Sequence, residues 1–432
     1  MNDVMFQIKK VKGPIDIKVN VPSSKSILAR TLILACLSLG ECTLKHAVLS
    51  RDTRTLMIAL RELGFSIFYS ANLKEIRVRG TGGEIPKKEA ELNLGNAGTA
   101  ARFIVAILAL SDGTYTINSS LEPGKRSMKE LINTLRLMGA GVTYAGVDGR
   151  FPIRIVGAGR NSFQKIDISV DISKSTQFAS ALLMALPLMN TDSRLKLTGV
   201  TRTSYIDMTV KLMENFGQKV SKDGFVYSVN GNGSYKPGEY ELESDAASAC
   251  YAYAAAAILG GKAQVRGIHA DSFQTDMAFL NLLKDFGALI NDAPEGLVVS
   301  FKGAVVKDRV LTYDLSEFSD QTATLAIIAA QLPIKLRIEN IGNIKQKESN
   351  RISVIASNLK KCGINAREGN DFIEIDGGKP HGTLIDPKED HRIAMAFSVL
   401  GLKTGDMSIK DFECVEKTYP DFYEEIIEPL SK

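Results

Sequence analysis

The chain has 432 residues, of which 44% are apolar and 24% are charged, and 53 basic side chains are set against 49 acidic ones. A net charge of +4 over so long a chain argues against a general nucleic-acid or membrane binder, and no apolar run approaches the roughly 20 residues that span a bilayer. Five cysteines without a C-x-x-C pair, and only four histidines, argue against a His/Cys metal site and favour a reducing compartment. We expect a cytoplasmic enzyme.

One pattern recurs five times: a helix with apolar residues at i, i+3, i+4 and i+7, a glycine, and an alternating strand. The glycine stands where a helix ends in a C′ residue. The copies are 56–67, 128–142, 208–220, 277–290 and 351–366. The tail at 421–430 has the features of a truncated sixth copy.

A second set of helices is apolar on nearly every side and should therefore be buried. Six helices of each kind predict six β-α-β-α-β-type units, three in each of two globular domains. Because the steps between copies are uneven, this arrangement is favoured over a strict solenoid. The buried helices are predicted at 27–39, 100–110, 178–188, 247–259, 322–332 and 393–402.

Polar residues stand at the start of each buried helix. Taken singly they are N-caps, whose side chains accept hydrogen bonds from the first N–H groups. Taken together they predict an anion site in a shared cleft, because helix N-termini are partly positive and several starts add lysine or arginine. The starts are Ser24-Lys25-Ser26, Asn96-Ala97-Gly98-Thr99, Ser175-Thr176-Gln177, Asp245-Ala246, Asp320-Gln321-Thr322 and Asp390-His391-Arg392.

Basic residues in the same motifs fit two small anions, since arginine offers a bidentate fork and lysine a point charge. Lys347 and Arg351 are four residues apart, which predicts one helix face with Glu348 projecting to the side. The chain has no P-loop, G-x-S-x-G or H-E-x-x-H motif. What remains is a site for two anions with Asp320 and Glu348 available for proton transfer. The other basic residues are Lys25, Arg30, Arg102, Lys125 and Arg126.

Ordered motifs along the whole chain resemble the 5-enolpyruvylshikimate-3-phosphate (EPSP) synthase family. The most specific is LGNAGTAAR at 94–102, which is similar to the family's glycine-rich phosphoenolpyruvate loop. The others are PSSKSILAR at 22–30, KRSMKEL at 125–131, STQF at 175–178, DQTAT at 320–324, NIKQKESNR at 343–351, EDHRIAM at 389–395 and EKTYPDF at 416–422. The resemblance implies transfer of the enolpyruvyl group of phosphoenolpyruvate to the 5-hydroxyl of 3-phosphoshikimate through a tetrahedral addition–elimination intermediate, with no metal or organic cofactor.

The resemblance also implies a role for each matched residue. Those for 3-phosphoshikimate are Lys25, Ser26, Arg30, Ser175, Thr176, Gln177, Asp320, Asn343 and Lys347. Those for phosphoenolpyruvate are Lys25, Asn96, Gly98, Arg126, Gln177, Arg351, Arg392 and Lys417. Asp320 is the candidate base for the hydroxyl and Glu348 the candidate acid/base at C3. Lys25 and Lys417 would stabilise the departing phosphate or assist proton transfer. His391 is either part of the catalytic set or a second helix cap.

The implied fold is a two-domain inside-out α/β barrel of six β-α-β-α-β-β units around buried parallel helices. Residues 25–242 would form the phosphoshikimate-binding domain. Residues 1–24 and 243–432 would together form the second domain. The expected partners are the two substrates, with no nucleic acid, no membrane and a monomeric chain. Arg202 replaces a substrate-binding serine of many members, which leaves that contact undecided.

Two alternatives stay open. The sister enolpyruvyl transferase that acts on UDP-N-acetylglucosamine places a reactive cysteine in the loop matching 124–127, where this chain has none, although some members have aspartate. A non-catalytic anion-binding or RNA-processing module would not need Asp320 and Glu348 beside the basic residues. It would also usually bring more positive charge and aromatic platforms.

Overall fold

The computed structural model describes residues 5–120, 127–160, 165–200, 202–231, 233–302 and 310–431. The chain divides into two compact units. We call Lys25–Leu242 the central unit, and Met1–Ser24 with Glu243–Lys432 the terminal unit. Among the described residues, no helix combines the length and apolar character needed to cross a bilayer.

Alternation of short strands with helices gives the chain its mixed α/β class, as predicted. In chain order, the strands of the described residues are β1 (Met5–Ile8), β2 (Ile15–Val19), β3 (Leu39–Lys45), β4 (Ser66–Ser70), β5 (Glu75–Thr81), β6 (Glu89–Asn93), β7 (Thr114–Asn118), β8 (Gly141–Tyr144), β9 (Ile153–Val156), β10 (Ile166–Asp171), β11 (Ser193–Thr198), β12 (Val220–Asp223), β13 (Val226–Val229), β14 (Gly238–Glu241), β15 (Gly261–Val265), β16 (Leu289–Ala293), β17 (Gly296–Phe301), β18 (Val310–Asp314), β19 (Lys335–Glu339), β20 (Asn365–Glu368), β21 (Phe372–Asp376), β22 (Leu384–Ile385) and β23 (Met407–Lys410).

The α-helices follow the predicted order of buried and amphipathic segments. They are α1 (Lys25–Leu37), α2 (Arg51–Glu62), α3 (Gly98–Ala109), α4 (Lys129–Leu137), α5 (Gln177–Ala185), α6 (Ser204–Asn215), α7 (Ala246–Leu259), α8 (Phe279–Asp285), α9 (Thr322–Ala329), α10 (Arg351–Lys361), α11 (His391–Thr404) and α12 (Glu428–Ser431). Short 3-10 helices lie at Leu186–Leu188, Thr275–Ala278, Ser319–Gln321, Gly342–Gln346 and Phe412–Lys417, and a π-helix at Tyr423–Ile427.

Five sheets share one strand arrangement: two strands pair in parallel, and an antiparallel hairpin completes the sheet. A buried helix connects the parallel strands in three of these sheets, whereas the pairs β14–β3 and β2–β15 join strands from distant parts of the chain. In the central unit their orders are β14-β3-β5-β4, β6-β7-β9-β8 and β10-β11-β13-β12; in the terminal unit they are β16-β17-β15-β2 and β18-β19-β21-β20. The sixth sheet has the order β1-β23-β22. Its edge strand β1 comes from the start of the chain and pairs antiparallel with β23, with Met5 opposite Lys410. The prediction of six related units is confirmed, with the last one lacking its own hairpin.

The odd-numbered helices α1 to α11 form the interior of the units. In α7 every residue except Ala257 is buried, and most of its side chains are alanine. These segments lack a polar face because they are buried on nearly every side, and small side chains let neighbouring helices approach closely.

The even-numbered helices α2 to α10 bury one face and end at the predicted glycines. In α2 the buried side includes Leu56, Met57 and Leu60, and the next residues after the helix are Leu63 and Gly64. All five glycines have a backbone φ between +81° and +93°, a left-handed conformation that costs glycine little. They are Gly64, Gly139, Gly217, Gly287 and Gly363.

The predicted N-caps are only partly present. Asp245 caps α7 by accepting from Ser248 N at 2.7 Å, and Asp390 caps α11 by accepting from Arg392 N at 3.0 Å. The N-cap residues of α3, α5 and α9 make no side-chain cap bond; they are Ala97, Thr176 and Gln321. The N-cap is described for five of the buried helices, and in two of them, α7 and α11, the predicted polar residue caps the helix.

Candidate active site

Arg351 organises a cluster of three carboxylates in the terminal unit. Its side chain is only 3% exposed and begins α10. Nε donates to Asp390 Oδ2 at 2.8 Å, Nη1 to Asp320 Oδ1 at 2.7 Å and Nη2 to Glu348 Oε2 at 2.8 Å. These bonds use three of the five N–H donors of the guanidinium, so two remain for a ligand.

Asp320, the candidate base, faces three cations. Besides Arg351, Lys347 Nζ lies 3.8 Å from Oδ1, and Arg392 Nη2 lies 3.5 Å from Oδ2. Burial alone would raise the pKa of Asp320, but Lys347, Arg351 and Arg392 together hold it well below its ordinary value. Asp320 is therefore ionised at neutral pH.

Glu348, the candidate acid/base, is held between two cations. Its Oε2 accepts from Arg351, and its Oε1 lies 3.2 Å from Lys417 Nζ. Lys417 ends the 3-10 helix Phe412–Lys417 and is 6% exposed. The two residues therefore lie together, as a shared acid/base function would require.

The prediction that Lys347 and Arg351 share one helix face is wrong. Asn350 caps α10 by accepting from Ser353 N at 3.4 Å, so the helix begins only at Arg351. The backbone of Lys347 (φ −88°, ψ −147°) is not helical. The turn between the two helices brings Glu348 back to Arg351 instead of letting it project aside.

His391 and Asp390 lie at the start of α11 and are almost fully buried. His391 Nδ1 is 3.9 Å from Asp390 Oδ1. Ligand atoms of Glu348, Asp390 and His391 come within 4.8 Å of one another, a spacing that suits a metal ion. However, Arg351 already bonds to both carboxylates, and its positive charge would oppose a divalent cation there.

Arg392 is buried, but the hydrogen bonds of its side chain are long. Nη1 lies 3.4 Å from Tyr251 Oη, and its Nε has no hydrogen-bond partner among the described residues. Burial lowers the pKa of Arg392, but Tyr251, Asp320, Asp245 and Asp276 outweigh that effect and raise it well above its ordinary value. A charged guanidinium with an unused buried donor is suited to receive an anion.

Asn343 stands near this cluster in the 3-10 helix Gly342–Gln346. Its Nδ2 donates to Ser319 Oγ at 2.8 Å, next to Asp320 in the chain. Its buried Oδ1 has no hydrogen-bond partner in the described part of the chain. The amide is thus oriented with a free acceptor, which fits a hydroxyl-bearing ligand.

Arg30 is the most buried cation of the central unit, at 0% exposure. Nε donates to Thr209 Oγ1 at 2.7 Å, and Nη2 lies 3.3 Å from both Ser180 Oγ and Tyr205 O. The guanidinium also lies over the Phe103 ring, 5.2 Å from its centroid. Burial lowers the pKa of Arg30 to about 10. Because its partners are all neutral, its charge is not cancelled locally.

Lys25 and Ser26 begin α1, and Arg30 follows in its second turn. Lys25 Nζ donates to Asp52 Oδ2 at 3.3 Å, and the backbone oxygen of Ser26 accepts from Arg30 Nη1 at 2.9 Å. The first two turns of α1 therefore carry two cations directed to different partners.

Gln177 links the starts of two buried helices. Its Nε2 donates to Thr99 Oγ1 at 2.9 Å and its Oε1 accepts from Arg102 Nη1 at 2.6 Å. Ser175 Oγ accepts from Gln177 N at 3.3 Å. These bonds join the α5 start to the α3 start, where the remaining predicted residues lie: exposed Asn96, buried Gly98 and buried Thr176.

The remaining predicted positions are Lys125, Arg126 and Arg202. Lys125 and Arg126 lie outside the described residues. Arg202 is half-buried just before α6.

Sequence reasoning missed three participants of these networks. Asp390 was predicted only as a cap, yet it also binds Arg351, and Asp52 was not singled out beside Lys25. Arg102 was noted as basic without its bond to Gln177. The motif EDHRIAM did contain Asp390, so a signal existed for one of the three.

Comparison with known proteins identifies the family of the chain. The family model described as EPSP synthase (3-phosphoshikimate 1-carboxyvinyltransferase) matches residues 9–426. The chain belongs to this family. It is 38% identical over 432 residues to the 3-phosphoshikimate 1-carboxyvinyltransferase of Tolumonas auensis, with 98% of each chain covered. The enzyme of the same name from Methanospirillum hungatei is 35% identical over 419 residues, with 96% of each chain covered.

Solved structures carry the same fold. EPSP synthase from Acinetobacter baumannii superimposes with a TM-score of 0.82 at 26% identity, with 97% of each chain covered. The enolpyruvyl transferase NikO from Streptomyces tendae gives a TM-score of 0.76 at 15% identity, which is a likeness of fold alone. The resemblance drawn from the motifs is confirmed: the chain is an enolpyruvyl transferase of the EPSP synthase family, and the UDP-N-acetylglucosamine alternative is not favoured.

Proposed function

We propose that the chain transfers the enolpyruvyl group of phosphoenolpyruvate to the 5-hydroxyl of 3-phosphoshikimate, with 3-phosphoshikimate binding centred on Arg30 in the central unit and proton transfer centred on Arg351 in the terminal unit. The observation that carries this division is the set of three carboxylates and three further cations around the buried Arg351. A plain anion binder would have no use for so many carboxylates.

The central unit would bind 3-phosphoshikimate. Arg30 has an uncancelled charge in a buried setting, where attraction to a phosphate is weakly screened. Lys25 would add a second charge, and the hydroxyl and amide groups at the α5 start would add neutral donors. Those groups are Ser175, Thr176 and Gln177, with Ser26 on α1. The family resemblance also assigns Asp320, Asn343 and Lys347 to this substrate.

Asp320 would accept the proton of the attacking 5-hydroxyl. Its depressed pKa makes it a weak base while Lys347, Arg351 and Arg392 are directed at it. An anionic substrate bound to Arg351 and Arg392 would share that positive charge. The pKa of Asp320 would then rise towards the range a general base needs.

Glu348 would protonate C3 of phosphoenolpyruvate and later remove the proton again. Lys417, 3.2 Å away, would assist this transfer and stabilise the departing phosphate. Arg392 would bind the second anion through its unused donor. The remaining contacts to phosphoenolpyruvate would come from Lys25, Asn96, Gly98, Arg126 and Gln177. His391, buried beside Asp390, is a further catalytic candidate. We place the enzyme in the cytoplasm as a monomer.

Phosphate release from phosphoenolpyruvate tests the substrate assignment. We expect release that depends on 3-phosphoshikimate, and none above background with UDP-N-acetylglucosamine as acceptor. Release with the sugar nucleotide alone would overturn the assignment. Gel filtration coupled to light scattering tests the monomer separately.

A further inference from the structure

A buried carboxyl group lies behind the candidate base. Asp276, in the 3-10 helix Thr275–Ala278, is 6% exposed. Its Oδ1 accepts from Gln321 Nε2 at 2.7 Å, across 45 residues of sequence. Gln321 is 0% exposed and directly follows Asp320 in the chain. The bond therefore anchors the residue next to the base.

The Gln321 amide is fixed in orientation at both ends. Thr324 Oγ1 donates to its Oε1 at 3.0 Å, so Nε2 must be the atom facing Asp276. Nε2 also lies 3.4 Å from the Ala247 carbonyl oxygen on α7. Because both ends of the amide are hydrogen-bonded, a displacement of Asp276 would also displace Gln321 and the turn that carries Asp320.

The segment that carries Asp276 is anchored in turn. Gln274 Nε2 donates to Glu243 Oε2 at 2.9 Å and to Ser244 O at 2.8 Å, and its Oε1 accepts from Ala246 N at 3.0 Å. Three bonds two residues away make Asp276 a fixed point instead of part of a freely moving loop.

The charge of Asp276 is not matched by a close ion pair. Asp276 forms no ion pair with a Lys, Arg or His side chain in the described part of the chain. Burial raises the pKa of Asp276 to about 6, opposed by the charge of Arg392 on α11. Asp320 and Asp245, at the starts of α9 and α7, add to the rise. The contact that remains at close range is the acceptor role towards Gln321.

We propose that Asp276 is a positioning residue for enolpyruvyl transfer: its hydrogen bond to Gln321 holds the Ser319–Gln321 turn so that Asp320 meets the substrate hydroxyl. This inference rests on the proposed role of Asp320 as the base. Misplacement of a reacting group by about 1 Å can cost on the order of 100-fold in rate. The residue acts through Gln321 and needs no contact with substrate.

Four variants test the bond: Asp276→Leu, Gln321→Leu, the double variant, and Asp276→Asn, whose amide oxygen still accepts from Gln321. We expect Asp276→Leu and Gln321→Leu each to lower kcat by about 10- to 100-fold. The double variant should match either single one, because both remove the same bond. Asp276→Asn should keep kcat within about threefold. The KM for 3-phosphoshikimate should stay within about threefold in all four.

Asn358→Leu is the matched control, because it removes another buried amide of the terminal unit, whose Nδ2 donates to Val354 O and Asp386 O. It should lower the melting temperature but leave kcat per folded molecule unchanged. Equal kcat losses in Asp276→Leu and Asn358→Leu, or in Asp276→Asn and Asp276→Leu, would overturn the proposal. Asp320→Asn distinguishes the failure of the proposed base from the failure of the proposed positioning residue. Full turnover in Asp320→Asn would refute the role of Asp320 as the base. Loss of turnover in Asp320→Asn, together with unchanged turnover in Asp276→Leu, would refute only the positioning role of Asp276.

Discussion

Arg30 and Arg351 are both buried arginines near the starts of helices, yet their surroundings are opposite. Arg30 bonds to two hydroxyls and two carbonyl oxygens, and burial lowers its pKa. Arg351 is also desolvated, but Asp390, Asp320 and Glu348 outweigh that cost and raise its pKa above the ordinary value. The first arginine keeps its charge for an incoming anion, and the second uses its charge to hold carboxylates in place. Residue type alone does not separate these two roles.

The largest effect is expected at the carboxylate that Arg351 and Lys417 share. Glu348→Gln keeps the size of the side chain but cannot transfer a proton, so kcat should fall by about 100- to 10,000-fold. Steady-state phosphate release measures this, and a circular dichroism melt serves as the folding control. Full turnover in this variant would remove Glu348 from the acid/base assignment.

Loss of Arg351 should damage the fold as well as the reaction. Arg351→Met leaves three carboxylates without their common cation, so we expect a loss of about 3–5 kcal/mol in the free energy of unfolding. Urea denaturation at pH 7 measures it. A variant as stable as the wild type would show that the three ion pairs contribute nothing net to stability.

Loss of Arg30 should cost less stability. Arg30→Met leaves neutral hydroxyl and carbonyl partners unsatisfied, for which about 1–3 kcal/mol is expected. The same urea denaturation compares it directly with Arg351→Met. A loss in Arg30→Met larger than in Arg351→Met would reverse the comparison between the two arginines.

The smallest effect concerns Lys347, which is 37% exposed and 3.8 Å from Asp320. Lys347→Met should cost about 0.5 kcal/mol at pH 7, since partly exposed pairs are weak. The folded pKa of Asp320 is depressed, so its stabilisation is present above the unfolded value of about 3.9 and disappears as pH falls through the folded pKa. The difference between wild type and variant should therefore vanish at low pH.

Lys345→Met is the matched control for that titration. Lys345 lies in the same 3-10 helix, and its Nζ bonds to the neutral Asn370 Oδ1 at 3.3 Å. Its effect on unfolding should be small and independent of pH between 3 and 7. Equal pH dependence in both variants would mean that Lys347 has no specific effect on Asp320.

Local features of the sequence were enough to predict much of the fold. The apolar periodicity located both helix sets, and the five glycines ended the amphipathic helices because a left-handed C′ residue favours glycine. The start of α10 was misplaced because an i, i+4 spacing was read through Asn350, which is itself a cap. That error shows that capping chemistry can override a side-chain spacing.

Long-range partners could not be predicted from spacing. Asp390 reaches Arg351 across 39 residues, and β1 joins β23 across the length of the chain. The motifs identified the candidate residues. The pairing of each carboxylate with a cation depends on how the starts of the helices pack against one another. For the same reason the difference between Arg30 and Arg351 could not be seen before the structure.

Calorimetric titration with 3-phosphoshikimate, without phosphoenolpyruvate, tests most directly whether 3-phosphoshikimate binding and proton transfer depend on different residues. Arg30→Met should weaken binding by about 10- to 100-fold, as expected for a charge-assisted bond to phosphate. Glu348→Gln should bind within about threefold of wild type. Unchanged binding in Arg30→Met, or an equal loss in Glu348→Gln, would contradict the account.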